Sequence, residues 1–214
     1  MIKKILILFI TSILFSESVL AEKVIVFNFT EEELKSLKVR KVKGETKWSL
    51  GSNSSGSFIR AEAEGVGSGL GKEVEIDLLK TPFINITWKV EKDLSGIDEN
   101  SKKGHDYAAR VFVVKKTGST ALSNRAINYV FSSNSNVNDT WRSPYTKKSI
   151  DYVLSTTKED SNSWVTVKAN VREDFMKLHE LDVKNLSGVA IMTDTDNSKL
   201  KAISYYQNIY FSSN

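Results

Sequence analysis

The stretch Phe83-Ile84-Asn85-Ile86-Thr87-Trp88-Lys89-Val90-Glu91 sets apolar side chains at 84, 86, 88 and 90 against polar ones at 85, 87, 89 and 91. Successive side chains of a strand point to opposite faces, so this spacing predicts a strand with one buried face and Trp88 in the core. Further strand candidates are 23–29, 57–62, 73–79, 107–115, 125–131, 150–155, 164–171, 188–193 and 202–211, with Trp164 also expected in the core. Helix signals are few. Thr30 and Glu33 stand at capping-box spacing ahead of Leu37, and 172–179 is a short run with acidic residues near its start. Ten strands, turn-rich connections and little helix predict an all-β fold: an antiparallel β-sandwich, jelly-roll and galactose-binding-like, with one or two short helices.

Residues 1–21 read as a secretory signal peptide. Lys3 and Lys4 precede an apolar run over 5–15, and Val19-Leu20-Ala21 places a small residue where a peptidase cuts, after Ala21. The run is too short for a spanning helix, which takes about 20 residues. The expectation is a periplasmic or secreted protein with no membrane span after cleavage, residues 22–214 forming one β-sandwich domain. The chain of 214 residues carries 30 basic and 26 acidic side chains, a formal charge of +4 that becomes +3 once Lys3, Lys4 and Glu17 are removed. It has no cysteine, which excludes disulfides, thiolate metal sites and cysteine nucleophiles and suits an oxidising periplasm. The excess charge is lysine, scattered, with Lys35, Lys38, Lys41 and Lys43 nearest to a cluster. That pattern reads as a solvated surface, not a nucleic-acid face.

Three motifs invite chemistry. Gly65-Val66-Gly67-Ser68-Gly69-Leu70-Gly71-Lys72 lacks the glycine and hydroxyl of a phosphate loop at Val66 and Glu73, so its glycines are expected to serve a bend or tight loop. Asp194-Thr195-Asp196-Asn197 ends an apolar strand, and its clustered oxygens suit calcium, with Asp194 and Asp196 as candidate ligands; the plainer reading is a polar turn capping its own backbone. His105-Asp106 opens a strand in which Arg110 shares a face with Asp106 and Ala108. An arginine inside an apolar strand needs a carboxylate or carbonyl partner if it is buried. Trp141, read as lying in the 138–145 loop beside Arg142 and Tyr145, offers a stacking face for a sugar ring.

Catalysis has thin support. Asp106, Asp174, Asp194 and Asp196 are available for a carboxylate pair, but no serine sits in a nucleophile elbow and only His105 and His179 are present.

Several stretches together resemble the exported bacterial family known as domain of unknown function 3047. They are Ser68-Gly69-Leu70, Ile86-Thr87-Trp88-Lys89-Val90, the run from Lys103 to Val111, Asn128-Tyr129-Val130-Phe131, Trp164, Arg172-Glu173-Asp174-Phe175, and the run from Gly188 to Asn197, closed by Ala202, Tyr205 and Tyr206. His105 stands where the family often has an acidic residue, and Phe131 where tryptophan is common. The resemblance implies an exported β-sandwich and brings no established activity.

Two functions follow as expectations. The first is a non-catalytic glycan-binding module of the cell envelope, with Asp106, Arg110, Asn128, Asp194, Asp196 and Trp141 contacting the ligand. The second is a carboxylate-dependent hydrolase of envelope polysaccharide. A purely structural envelope protein is the plain alternative to both. Convergence of the polar residues in an open site favours a ligand; mutual pairing in the interior favours structure.

Overall fold

The computed structural model describes residues 22–120 and 123–214, and the expected signal peptide lies outside them. Strands are numbered in chain order. One sheet runs β12 (Val165–Asn170), β7 (Phe83–Lys92), β15 (Lys201–Ser212), β4 (Gly56–Glu64) and β3 (Lys47–Asn53). A short β1 (Lys23–Ile25) also pairs with β15, and every pairing in this sheet is antiparallel. The second sheet runs β10 (Thr140–Arg142), β11 (Ser149–Thr156), β9 (Arg125–Ser132), β8 (Ala109–Lys115), β14 (Gly188–Asp194), β5 (Gly67–Lys72) and β2 (Lys38–Lys43). A two-stranded ribbon joins β6 (Ile76–Asp77) to β13 (Asn185–Leu186), and two helices complete the described residues, α1 (Glu31–Ser36) and α2 (Val171–His179).

The fold is the all-β sandwich that the strand pattern predicts, with one departure from antiparallel order. After β9 the chain reverses in β10, one place further out, and β11 returns between them, parallel to β9.

Ile84, Ile86, Trp88 and Val90 of β7 are all buried, as the period-two pattern requires. They meet Val111, Ile127, Phe131 and Ile191 of the other sheet in one apolar cluster. Two aromatic side chains tie the sheets together through their polar tips. Trp88 packs on Phe131 with ring centroids 5.5 Å apart and donates its Nε1 proton to Ser155 Oγ at 2.9 Å. Tyr206 donates its hydroxyl proton to the Met192 carbonyl at 2.6 Å and accepts the Arg110 N–H at 3.2 Å. Buried aromatic hydroxyls and indoles are found with such partners because an unpaired polar group in the core is costly.

Helix α1 begins as its sequence predicts, with Thr30 Oγ1 accepting the Glu33 N–H at 3.1 Å. Glu33 reaches one residue further back than a capping box does. Its carboxylate accepts the N–H groups of Asn28 and Phe29 and the Lys72 ammonium at 3.1 Å. Helix α2 is capped by Asn170 and ends at Glu180, whose φ of 55° lets its N–H turn back to Met176 and Phe175.

Five local expectations need correction. The glycine run is a strand, not a loop: β5 pairs with β14 so that Gly67, Gly69 and Gly71 stand opposite Asp194, Met192 and Ala190. The 73–79 stretch shrinks to the two residues of β6, and the 23–29 strand stops at Ile25, where β15 bulges between Gln207 and Tyr210 and the Val26 and Phe27 N–H groups both turn to the Ile209 carbonyl. Trp164 is half-buried outside the core, ringed by Phe58 and Tyr205 on the outer face of the six-stranded sheet. Trp141 belongs to strand β10, half-buried against Tyr107, Val130 and Val153. Strands β2 and β3 are absent from the strand candidates, although Lys47-Trp48-Ser49-Leu50 of β3 alternates briefly, with Trp48 and Leu50 packed on the core. Every residue of β2 is exposed at the sheet's edge, where lysines discourage unwanted strand pairing.

Candidate functional site

The seven-stranded sheet turns one face to the core and the other outward. On the outward face Trp141, Asp151 and Asn128 lie side by side on β10, β11 and β9. The next row holds Val153, Val130, Arg110 and Met192. Asp194 follows Met192 by two residues, opposite Gly67. Residues 105–107, just ahead of β8, lie against this face, and Tyr107 packs on Val130 and Val153 with Trp141 beside it.

Two linked polar groups result. In the first, the Arg110 guanidinium donates to Asp194, which also accepts the Tyr107 N–H at 3.3 Å. Asp106 beside them accepts three donors: the Asn197 N–H at 3.2 Å, its side-chain amide at 2.8 Å and the Ser198 N–H at 2.6 Å. Asp196 lies within carboxylate contact range of both aspartates. In the second group, Asp151 meets His105 Nε2 at 2.8 Å and accepts the Asn128 amide at 2.7 Å. Arg110, whose charge is favoured by both Asp194 and Asp151, joins the two, its guanidinium carbon 5.2 Å from the Tyr107 ring centroid.

The structure thus gathers Asp106, Arg110, Asp194 and Asp196, sets Asn128 and Trp141 beside them, and adds Asp151, His105 and Tyr107. Asp151 is a lone carboxylate inside an apolar strand, the same signal that singled out Arg110, and that rule finds it. Glu99 is a second buried acid without a sequence signal. Ser132, Ser133, Asn134 and Ser135 all donate to it, which explains why that loop is rich in serine and asparagine.

Most of these groups are buried and paired with one another. Yet six buried side-chain polar atoms among the described residues have no hydrogen-bond partner, and five belong here: Tyr107 Oη, Arg110 Nε, Asn128 Oδ1, Trp141 Nε1 and Asp196 Oδ1. The Trp141 indole neighbours the Tyr107 hydroxyl, but the two miss hydrogen-bond geometry. Each such atom costs about 1–3 kcal/mol unless something meets it. Over the group lies Tyr145, 56 % exposed, its ring edge-on to His105 and its hydroxyl donating to Asn197 Oδ1 at 2.7 Å.

Burial pushes the Asp194 carboxyl up to about 7; Arg110 pulls it down, while Asp106 and Asp196 add to the rise. Burial works against the Arg110 charge too, but Asp194, Asp151, Tyr107 and Asp106 outweigh it and raise its pKa further. Burial, with Asp151 and Glu99, raises the Tyr107 hydroxyl as well, so it stays a donor. The sign for stability follows from Asp194 holding its proton more tightly folded than unfolded. Its contribution is complete at acid pH and declines as pH rises from about 4 to about 7. Relative to Asp194→Asn, the wild type is expected to lose stability over that window, with a limiting slope of about 1.4 kcal/mol per pH unit. Urea denaturation from pH 4 to 8 measures it, and parallel curves for the two proteins would refute it.

The carboxylates of Asp106, Asp194 and Asp196 lie within 4.8 Å of one another, the spacing a hard cation needs. Their present partners compete for that role. Asp106 is engaged by three N–H groups and Asp194 by a guanidinium, which leaves Asp196 with an open oxygen.

Among solved structures, the family 30 carbohydrate-binding module of a cellulosomal cellulase of Clostridium thermocellum matches 90% of this chain and 98% of its own, at 10% identity and a TM-score of 0.50. The family 11 module from Clostridium thermocellum matches 91% and 96%, at 12% identity and a TM-score of 0.49. At its identity the family 30 module speaks for a shared sandwich fold alone. No curated protein matches the chain. None of the helices among the described residues is long and apolar enough to cross a membrane. A family model does match, over residues 32–210, and takes in the glycine strand, Arg110, Asn128, Asp151 and all three clustered aspartates: the chain belongs to the family described as protein of unknown function (DUF3047).

Proposed function

We propose that this protein is a non-catalytic glycan-binding module of the bacterial cell envelope, exported with cleavage after Ala21. Its ligand would meet the outward face of the seven-stranded sheet. The observation that supports this reading is the concentration of unpartnered polar atoms there. They include an indole N–H, a phenol, an amide oxygen, a guanidinium N–H and a carboxylate oxygen. Sugar hydroxyls both donate and accept, so a polyhydroxylated ligand complements that mixture, and the half-buried Trp141 ring supplies an apolar face. Tyr145, whose exposed ring is held at its hydroxyl by Asn197 Oδ1 and the Lys102 carbonyl, would swing aside to admit it.

Binding is preferred to hydrolysis because a catalytic carboxyl must be free to face the bond it cleaves. Asp106 and Asp194 are engaged by Asn197, Ser198 and Arg110. For the same reason the proposed binding does not depend on calcium.

The test is retention of the secreted protein, first residue Glu22, on an array of envelope and plant polysaccharides, in calcium and in chelator. The wild type is expected to be retained in both, with Trp141→Ala and Asn128→Ala weakened about tenfold or more, the loss of one or two good contacts. Failure of the wild type to bind any glycan ends the proposal. Loss of retention in Trp164→Ala alone would move the site to the Phe58, Trp164 and Tyr205 cluster on the other sheet.

A further inference from the structure

The sixth unpartnered buried atom, Trp48 Nε1, lies outside that cluster, in a side chain that lines a cleft of about 380 Å³. Leu34, Val39 and Leu70 share the lining with Trp48, and Glu45 and Lys47 are the charged residues beside them. Pockets of this volume take small organic ligands.

The cleft opens where the two sheets end, at edge strands β2 and β3. Val39 stands opposite buried Leu70 and so faces inward, yet it is 46 % exposed. An inward apolar side chain left so open marks a place between the sheets that the chain itself does not fill. Charge sets the kind of occupant. Residues 35–47 carry six cationic side chains and one carboxylate, Glu45, which is paired with Lys41 at 2.6 Å. Lys47, on the cleft wall, has no ion pair among the described residues.

We propose that this cleft holds a single acyl chain with an anionic headgroup. The chain lies on Leu34, Val39 and Leu70, and the anionic end answers the Lys47 ammonium and the unpartnered Trp48 N–H. An acidic peptide adding a strand to β2 is the competing occupant. The shift of register between Lys41 and Lys43 interrupts the edge such a strand would need, and its backbone would leave the apolar lining open.

The probe is sodium dodecanoate below its micelle-forming concentration, followed by titration calorimetry and tryptophan fluorescence on the chain from Glu22 to Asn214. Saturable binding of one dodecanoate per protein is expected. Val39→Glu should weaken it about tenfold or more, and neutral dodecanol should bind about tenfold less tightly than dodecanoate. Lys47→Gln should weaken dodecanoate and leave dodecanol unchanged. Arg40→Gln, a change on the outward side of β2, should leave both unchanged. Absence of saturable binding overturns the proposal. So does equal affinity for dodecanol, an equal loss in Arg40→Gln, or displacement of dodecanoate by an extended polyglutamate peptide.

Discussion

Arg110→Ala is expected to lower the free energy of unfolding by about 3–5 kcal/mol at pH 8, the cost of removing one member of a buried ion pair. The guanidinium is the cation closing a pocket in which Asp194, Asp106 and Asp196 crowd together and Asp151 lies nearby. Without it the buried Asp194 carboxylate loses the cation that offsets its burial. The loss should be smaller at pH 5, where Asp194 already carries a proton and needs no cation. Asp194 is raised to about 7 even with Arg110 present, so removal of the arginine sends it higher still. A double replacement, Arg110→Met with Asp194→Leu, should recover most of the stability, because apolar groups of similar volume avoid the desolvation cost of both charges. Urea denaturation at the two pH values reads all three variants. A change under about 1 kcal/mol in Arg110→Ala at pH 8 would mean the pair behaves like a solvent-screened surface bridge. The result also bears on binding experiments, since a ligand lost in Arg110→Ala would report a damaged fold as readily as a missing contact.

Gly69→Ala is expected to destabilise the sandwich by about 1–3 kcal/mol, whereas Gly71→Ala, two residues along the same strand, should be close to neutral. A methyl group at 69 would lie 2.8 Å from the Ile191 carbonyl oxygen, which belongs to the backbone of β14 and has no rotamer to retreat to. At 71 the nearest atoms are the Ala190 methyl at 3.6 Å and the Lys38 carbonyl at 3.8 Å, ordinary contact distances. The difference between the two melting temperatures isolates the steric term, because both variants lose the same backbone freedom when unfolded. Equal melting temperatures would show that β5 and β14 can separate without penalty. Gly67 is held by a related constraint closer to the polar cluster, where a methyl would press within 2.7 Å of Asp194 and Asp196.

How much of this was legible beforehand differs by element. A long strand such as β7 follows directly from alternating residues, because burial of one apolar face demands that pattern, whereas β9, buried on both faces, reads as a near-continuous apolar run. Glycine breaks the rule. In β5 the outward positions are glycines because β14 and the aspartates press against them, so a strand without side chains on that face reads as a loop. β2 fails for the opposite reason: an exposed edge strand has no buried face to impose a pattern. The polar cluster was partly visible. Arg110 and the aspartates stood out as charges in apolar surroundings, and their convergence did not, since residues 105–110, Asp151 and 194–196 come from distant stretches that only the strand order brings together. All six residues expected at the site make contacts that span 20 residues or more, and no local pattern encodes those.

The position of β15 has a consequence for when the protein can fold. It is the last of the described strands, and it lies between β7 and β4 in the middle of its sheet while also holding β1, the first of them. Until residues 201–212 are available, β4 and β7 have no common neighbour and Tyr206 cannot bridge to the other sheet. Non-local pairing of this kind is slow to form. A growing chain therefore stays without the centre of this sheet until residues 201–212 have been made, however much of the other sheet is already in place.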